Sequence, residues 1–308
     1  MQTTNTVLMV RPAAFMSNPE TRASNAFQKS AGNLQDVQTR AQVAFDSYVQ
    51  ALRNVDIEVH VIDDAAEHGT PDSLFPNNWI AMLEDGTLYT FPMEAPNRRR
   101  ERREDIILQL ATDFVVNKRI DLSAHELEGR YLEGTGSLIL DHDNRIAYSC
   151  RSSRSSTLVG QEFERLSGYR IVWFEAHDQH RQPIYHTNVM LSVGSRFAIV
   201  CLDALPSLHE RRQLIDALQS TGKTLIAVTF EQMAFFTCNV LELKDKSGKP
   251  VYAMSTRAWE AFTTAQQCQI SSYARLALGP LDIIEDLGGG GARCMLCEVF
   301  LEKRMAYS

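Results

Sequence analysis

Apolar and polar positions change period repeatedly along the chain. Leu34, Val37, Ala41, Phe45, Tyr48 and Leu52 recur at spacings of three and four, which places them on one face of a helix. The run "EVHVID" that follows reads as a strand. Four longer runs then pair apolar stretches across turn residues: "WIAMLEDGTLYTFP", "GSLILDHDNRIAYSC", "VMLSVGSRFAIVCL" and "NVLELKDKSGKPVYAMS". Asp-Gly, Asp-Asn, Gly-Ser and Ser-Gly at their centres predict β-hairpins. Between the hairpins, helical patterns are expected over residues 98–112, 156–167, 207–220 and 256–267.

This alternation is periodic on a larger scale. The polar residues just before or at the start of each hairpin are Asn78, Glu133, Asn188, Asn239 and Cys294, at spacings of 55, 55, 51 and 55 residues. Repeats of about 50 residues signal a radial or stacked array. The chain, 1–308, is therefore expected to be a single domain of five α/β units. The same edge of every unit should face one central point, where these polar residues meet.

Composition narrows the chemistry. With 308 residues, 44% hydrophobic and 22% charged, the chain has the balance of an ordinary globular protein. A net charge of -7 argues against nucleic-acid partners, because phosphate neutralisation needs a basic face. The exception is "NRRRERRE" at 97–104, whose alternating signs read as a solvated helix face. No apolar run is long enough to span a bilayer, and the first residues lack the pattern of a secretory signal, so a cytoplasmic protein without membrane partners is expected. Six cysteines, four of them scattered singly, do not make a disulfide framework.

A cysteine, a histidine and a carboxylate at the expected meeting point are the parts of nucleophilic catalysis: an attacking thiolate, a proton carrier and an orienting acid. Cys294 stands in "GGGGARCM", His186 and Asn188 in "YHTNVM", Glu133 in "LEGTG" and Asn78 in "LFPNNW". These motifs, in this order, resemble the cysteine, Glu-Gly-Gly-Asp and His-x-Asp motifs of the amidinotransferase, or pentein, superfamily. The resemblance covers four of the five units and implies a five-bladed α/β propeller with a central active site and no metal or organic cofactor. It further implies Cys294 as nucleophile, His186 as general acid/base and Glu133 as a carboxylate on the substrate's nitrogen-rich carbon. Arg154, in "CRSSRSS", is similar to an arginine that clamps a substrate carboxylate in related enzymes. The glycines at 288–291 would let the backbone close over the substrate, and a charged His186 would lower the Cys294 pKa.

The departures from that pattern decide the substrate. Where deiminases and amidinotransferases hold a cationic guanidinium between two carboxylates, this chain has Asn78 and Asn188. A buried guanidinium would there lose two ion pairs, whereas a neutral ureido group has an acceptor and donors for two carboxamides. With a carboxylate clamp at Arg154, that points to citrulline, hydrolysed to ornithine, ammonia and carbon dioxide through a thiocarbamate on Cys294. The expected partner is thus a small ureido or guanidino amino acid, and a homo-oligomer is compatible with this reading.

Each assignment has a competitor. Cys294 and Cys297 form a C-x-x-C, but a zinc site would need a second ligand pair, and on a strand the two would face opposite sides. His186 has rivals in His125, His142, His177, His180 and His209. The asparagines are also turn formers. An arginine dihydrolase running through citrulline, an arginine deiminase or amidinotransferase, and a non-catalytic propeller acting as a binding module are the alternative functions.

Overall fold

The computed structural model describes residues 1–22, 25–29 and 36–304. Its strands form five separate three-stranded sheets. In four of them the chain makes a hairpin, crosses through helix and returns parallel to the hairpin's second strand. The first such unit holds Ile80–Met82, Thr87–Thr90 and Lys118–Asp121; the second Ile139–Asp141, Ile146–Cys150 and Arg170–Phe174. The third holds Leu191–Val193, Phe197–Val200 and Thr224–Ala227; the fourth Leu241–Lys244, Pro250–Ser255 and Arg275–Gly279.

The fifth sheet joins the two ends of the chain. Cys297–Glu298 pairs antiparallel with Thr6–Arg11, which pairs parallel with Glu58–Asp63. A mixed α/β protein with five small sheets is thus the observed architecture, and all four expected hairpins form.

Burial explains the shape of a unit. Each unit's first strand is buried along nearly its whole length, as in Ile80–Met82 and Leu191–Val193, whereas the third is partly exposed, as in Lys118–Asp121. First strands of neighbouring units lie beside one another, Ile139–Asp141 against Leu191–Val193 and Cys297–Glu298 against Ile80–Met82, so they surround the centre. Helices cover the outside. Helix Val37–Arg53 buries Ala41, Phe45, Tyr48 and Leu52, the predicted face; Leu34 lies outside the described residues. Each large apolar side chain so buried contributes roughly 1.5–3 kcal/mol.

Two expected helices are broken. Over 98–112 the chain forms Pro96–Arg99 and then Glu104–Asp113, because Arg98 and Glu101 turn inward together and Arg103 is extended. Over 256–267 it forms Thr256–Ala261 and Thr264–Ser271. There Thr263 and Gln266 make a capping box, which satisfies backbone donors that a continuous helix would have used. Helices Thr157–Ser167 and Leu208–Ser220 match their patterns.

Among the described residues, no helix is long and apolar enough to cross a membrane.

Candidate active site

Each unit's short turn before its first strand carries one of the repeat-marking residues. Asn78 ends the turn Pro76–Asn78, Glu133 precedes Gly134–Ser137, Asn188 lies in Thr187–Val189, Asn239 follows Phe236, and Cys294 lies in Ala292–Met295. All five side chains are buried and gather at one point. Asn188 Nδ2 and Asn239 Nδ2 each lie 3.2 Å from Cys294 Sγ. His186 Nε2 is 2.8 Å from Glu133 Oε2.

Glycines permit this convergence. A Cβ on Gly136 would stand 2.4 Å from Asn78 Nδ2 and 2.8 Å from His186 Nδ1. Gly289 has φ of +64°, a conformation side chains disfavour, and a Cβ on Gly290 would meet Phe75 at 3.0 Å. Beneath the glycine run lies a narrow recess lined by Asp72, Asn78, Arg98, Arg154, His186 and Cys294.

The arginine run is not a solvated face. Arg98 is buried, forks onto Glu101 at 2.9 and 3.0 Å, and donates to Asn78 Oδ1 at 3.0 Å. A planar fork matched to a carboxylate holds the guanidinium in one orientation. Arg154 sits between carboxylates, 3.2 Å from Glu94 and 3.5 Å from Glu133, with its guanidinium 4.9 Å from the centre of the Tyr185 ring. Tyr185 in turn donates its hydroxyl to Gly289 O at 2.5 Å.

The electrostatics differ from the expected thiolate and imidazolium. Burial lowers the His186 pKa to about 4 despite Glu133, so the ring is neutral near pH 7. Arg154, His186 and Arg98 together hold the Glu133 carboxyl far below its usual range, against the opposing effect of burial. Burial raises the Cys294 pKa, and the opposing contributions begin with the amides of Asn239 and Asn188. Among the described residues no hydrogen bond joins His186 to the sulfur; the imidazole is engaged with Glu133.

Cys294 is also not on a strand, so the expectation that it and Cys297 face opposite sides of one does not hold. It lies in a helical turn, while Cys297 opens the strand and its thiol donates to Ile80 O at 3.4 Å. Among the described residues no three His, Cys, Asp or Glu side chains group so as to hold a metal ion.

The structure thus brings Cys294, His186, Glu133, Asn78, Asn188 and Arg154 together. Sequence reasoning missed four of their neighbours. Asn239 carried a signal, as the fourth mark of the repeat. Asp72, Arg98 and Tyr185 carried none beyond proximity to motif residues.

Five such units around a buried Cys, His and Glu define the amidinotransferase, or pentein, class. The chain belongs to the family described as N,N dimethylarginine dimethylhydrolase, eukaryotic, which it matches over residues 11–301. It is therefore a member of a family of hydrolases acting on C–N bonds in arginine metabolism.

Solved structures agree on the fold. The N-terminal domain of ArgZ, an arginine dihydrolase of Cyanobacteria, solved with its substrate bound, superposes with a TM-score of 0.73 at 17% identity, covering 96% of this chain and 98% of that one. AgrE in complex with L-arginine gives 0.73 at 17%, covering 97% of this chain and 40% of AgrE. A dimethylarginine dimethylaminohydrolase variant carrying an S-methyl-L-thiocitrulline adduct gives 0.66 at 12%, covering 97% and 100%. No curated protein sequence matches the chain significantly.

Proposed function

We propose that the protein hydrolyses the ureido C–N bond of citrulline, releasing ornithine, ammonia and carbon dioxide. One observation carries this reading: two polar atoms at the site, Asn78 Nδ2 and Asn188 Oδ1, have no partner among the described residues. Their neighbours fix which atom is left over. Arg98 has only donors, so Asn78 turns its oxygen to it and keeps an N–H free. Asn188 gives its N–H to Cys294 Sγ and keeps its oxygen free.

A free donor and a free acceptor complement a ureido group, whose carbonyl accepts and whose N–H donates. A guanidinium, which only donates, would meet Asn78 donor to donor, and an unmet buried polar group costs about 1–3 kcal/mol. The amino-acid end of the substrate suits the rest of the recess. Arg154 lines the recess and would turn a donor from Glu94 or Glu133 to a substrate carboxylate, and Asp72 Oδ1, which is unpartnered, supplies an acceptor for an ammonium.

The chemistry then needs no group beyond these side chains. Neutral His186 takes the Cys294 proton as the sulfur attacks the ureido carbon, with Glu133 holding the resulting imidazolium. The imidazolium returns that proton to the departing ammonia, which leaves a thiocarbamate on Cys294. His186 then deprotonates a water that attacks the same carbon, the C–S bond breaks, and the released N-carboxy ornithine loses carbon dioxide. A cytoplasmic setting suits six cysteines that are all unpaired. A second reading, arginine carried through citrulline to ornithine, is supported by the arginine-bound AgrE and the arginine dihydrolase ArgZ.

Asn78→Asp tests the substrate reading. It replaces the free donor with an anion, so kcat/KM for citrulline should fall about tenfold or more while that for arginine holds or rises. Asn188 is left intact, because a carboxylate there would also face the sulfur. An unchanged ratio of the two kcat/KM values would mean that Asn78 does not read the substrate.

A further inference from the structure

Asn239 marks the fourth unit's turn and has no part in the reaction described above. It is nonetheless bound to Cys294 at two points. Its Nδ2 donates to the sulfur at 3.2 Å and to Asn188 O at 3.0 Å, and its Oδ1 accepts from the Cys294 backbone N–H at 3.3 Å. Its own backbone oxygen accepts from the Arg293 N–H at 3.2 Å. The amide cannot be reversed, since reversal would press its oxygen against Asn188 O and its N–H against the Cys294 N–H. Glycine is required opposite, because a Cβ on Gly291 would stand 2.9 Å from Asn239 Oδ1.

With Asn188, two carboxamide N–H groups therefore converge on one buried sulfur. The charged and titratable groups around it leave that position to the amides. Arg293, on the same turn, spends its guanidinium on Leu296 O and Glu298. His186 is engaged with Glu133, Arg98 with Glu101, and Arg154 with Glu94 and Glu133. The Tyr185 hydroxyl is given to Gly289 O, and Asp72 accepts from Asn18.

We propose that Asn239 is a positioning residue for the nucleophile: with Asn188 it forms a cradle of two N–H donors that aims the Cys294 side chain and stabilises its sulfur as an anion. A buried anion without an adjacent cation needs fixed donors, and donors that are already oriented require no reorganisation when charge develops. Hydrogen bonds to the charged form also lower a thiol's pKa, opposing the effect of burial. This inference rests on Cys294 being the nucleophile.

The test is read without substrate. Alkylation of Cys294 by iodoacetamide is followed against pH by peptide mass spectrometry in the wild type, Asn239→Asp and Asn239→Ala, with Cys294→Ser as background. Asn239→Asp keeps the acceptor for the Cys294 N–H but puts an oxygen anion in place of the donor. The alkylation midpoint should rise by about one pH unit or more, with a tenfold slower reaction below it. Asn239→Ala should shift it less, and kcat should fall more than KM rises in both. A midpoint unchanged in variants that still melt cooperatively would reduce Asn239 to packing, whatever their activity.

If neither variant folds, the wild type still decides. The Asn239 side-chain N–H resonances should titrate with the Cys294 midpoint and not in Cys294→Ser, and resonances insensitive to pH would overturn the proposal. The nucleophile reading fails separately, by full turnover in Cys294→Ser.

Discussion

Cys294 and Cys297 stand three positions apart and are both buried, yet only Cys294 faces the recess beneath the glycine run. Cys297 packs among Ile80, Met82 and Val299, where burial raises its thiol pKa far above the usual value, whereas Cys294 lines the recess. Cys294→Ser should therefore abolish turnover while Cys297→Ser retains most of it; equal loss in both would place the nucleophile elsewhere. The same surroundings fix a pH profile. Below about pH 4 His186 is protonated, and above the raised thiol pKa Cys294 loses its proton. Between these limits the pair holds one proton, which it can pass from sulfur to ring. We expect kcat/KM to stay level from about pH 5 into the alkaline range. An acidic limb near 6.5, the value of an unperturbed imidazole, would contradict a neutral buried His186. At this scale Cys294, Glu133, Asn78 and Asn188 were legible because they recur at fixed spacing, and His186 because it stands two residues before Asn188 in "YHTNVM". Arg98 was not, since a run of arginines reads as solvated until Glu101 and Asn78 are seen to meet it in space.

The hairpins were legible because turn residues have local causes. Gly86 and Gly248 adopt φ of +82° and +84°, and Asp245 accepts from the Ser247 and Lys249 N–H groups. Helix continuity was not legible: whether 98–113 runs unbroken depends on where Arg98 points, and whether 256–271 does depends on the cap at Thr263. The turn Gly134–Ser137 is the element that most directly joins fold to site. Gly136→Ala would push Asn78 and His186 apart by its Cβ, and misplacing reacting groups by about an ångström can cost roughly 10²-fold. We expect kcat/KM to fall by about that factor with the melting temperature little changed, because both displaced groups are side chains. A large fall in melting temperature with near-normal kcat/KM would show that this turn supports the fold rather than the chemistry.

Over the whole molecule, the repeat spacing foresaw five units and their convergence, while the closing of the fifth from both ends was invisible to it, since its strands lie almost 300 positions apart. Val7 pairs with Glu298 and Leu8 with Cys297, while Thr4 Oγ1 donates to Val299 O at 2.7 Å. Deleting residues 297–304 spares every residue of the candidate site but exposes the edge of Thr6–Arg11. Circular dichroism should then show loss of the cooperative melt; an unchanged melting curve would mean that the fifth sheet needs no closing strand. The choice of citrulline rests on the neutral donor and acceptor that Asn78 and Asn188 present. Its most direct measurement is to incubate the purified protein separately with citrulline and with arginine and to identify every product with time. Citrulline should give ornithine, ammonia and carbon dioxide at a kcat/KM well above that for arginine; release of citrulline from arginine as the end product, with citrulline itself untouched, would contradict citrulline as the substrate.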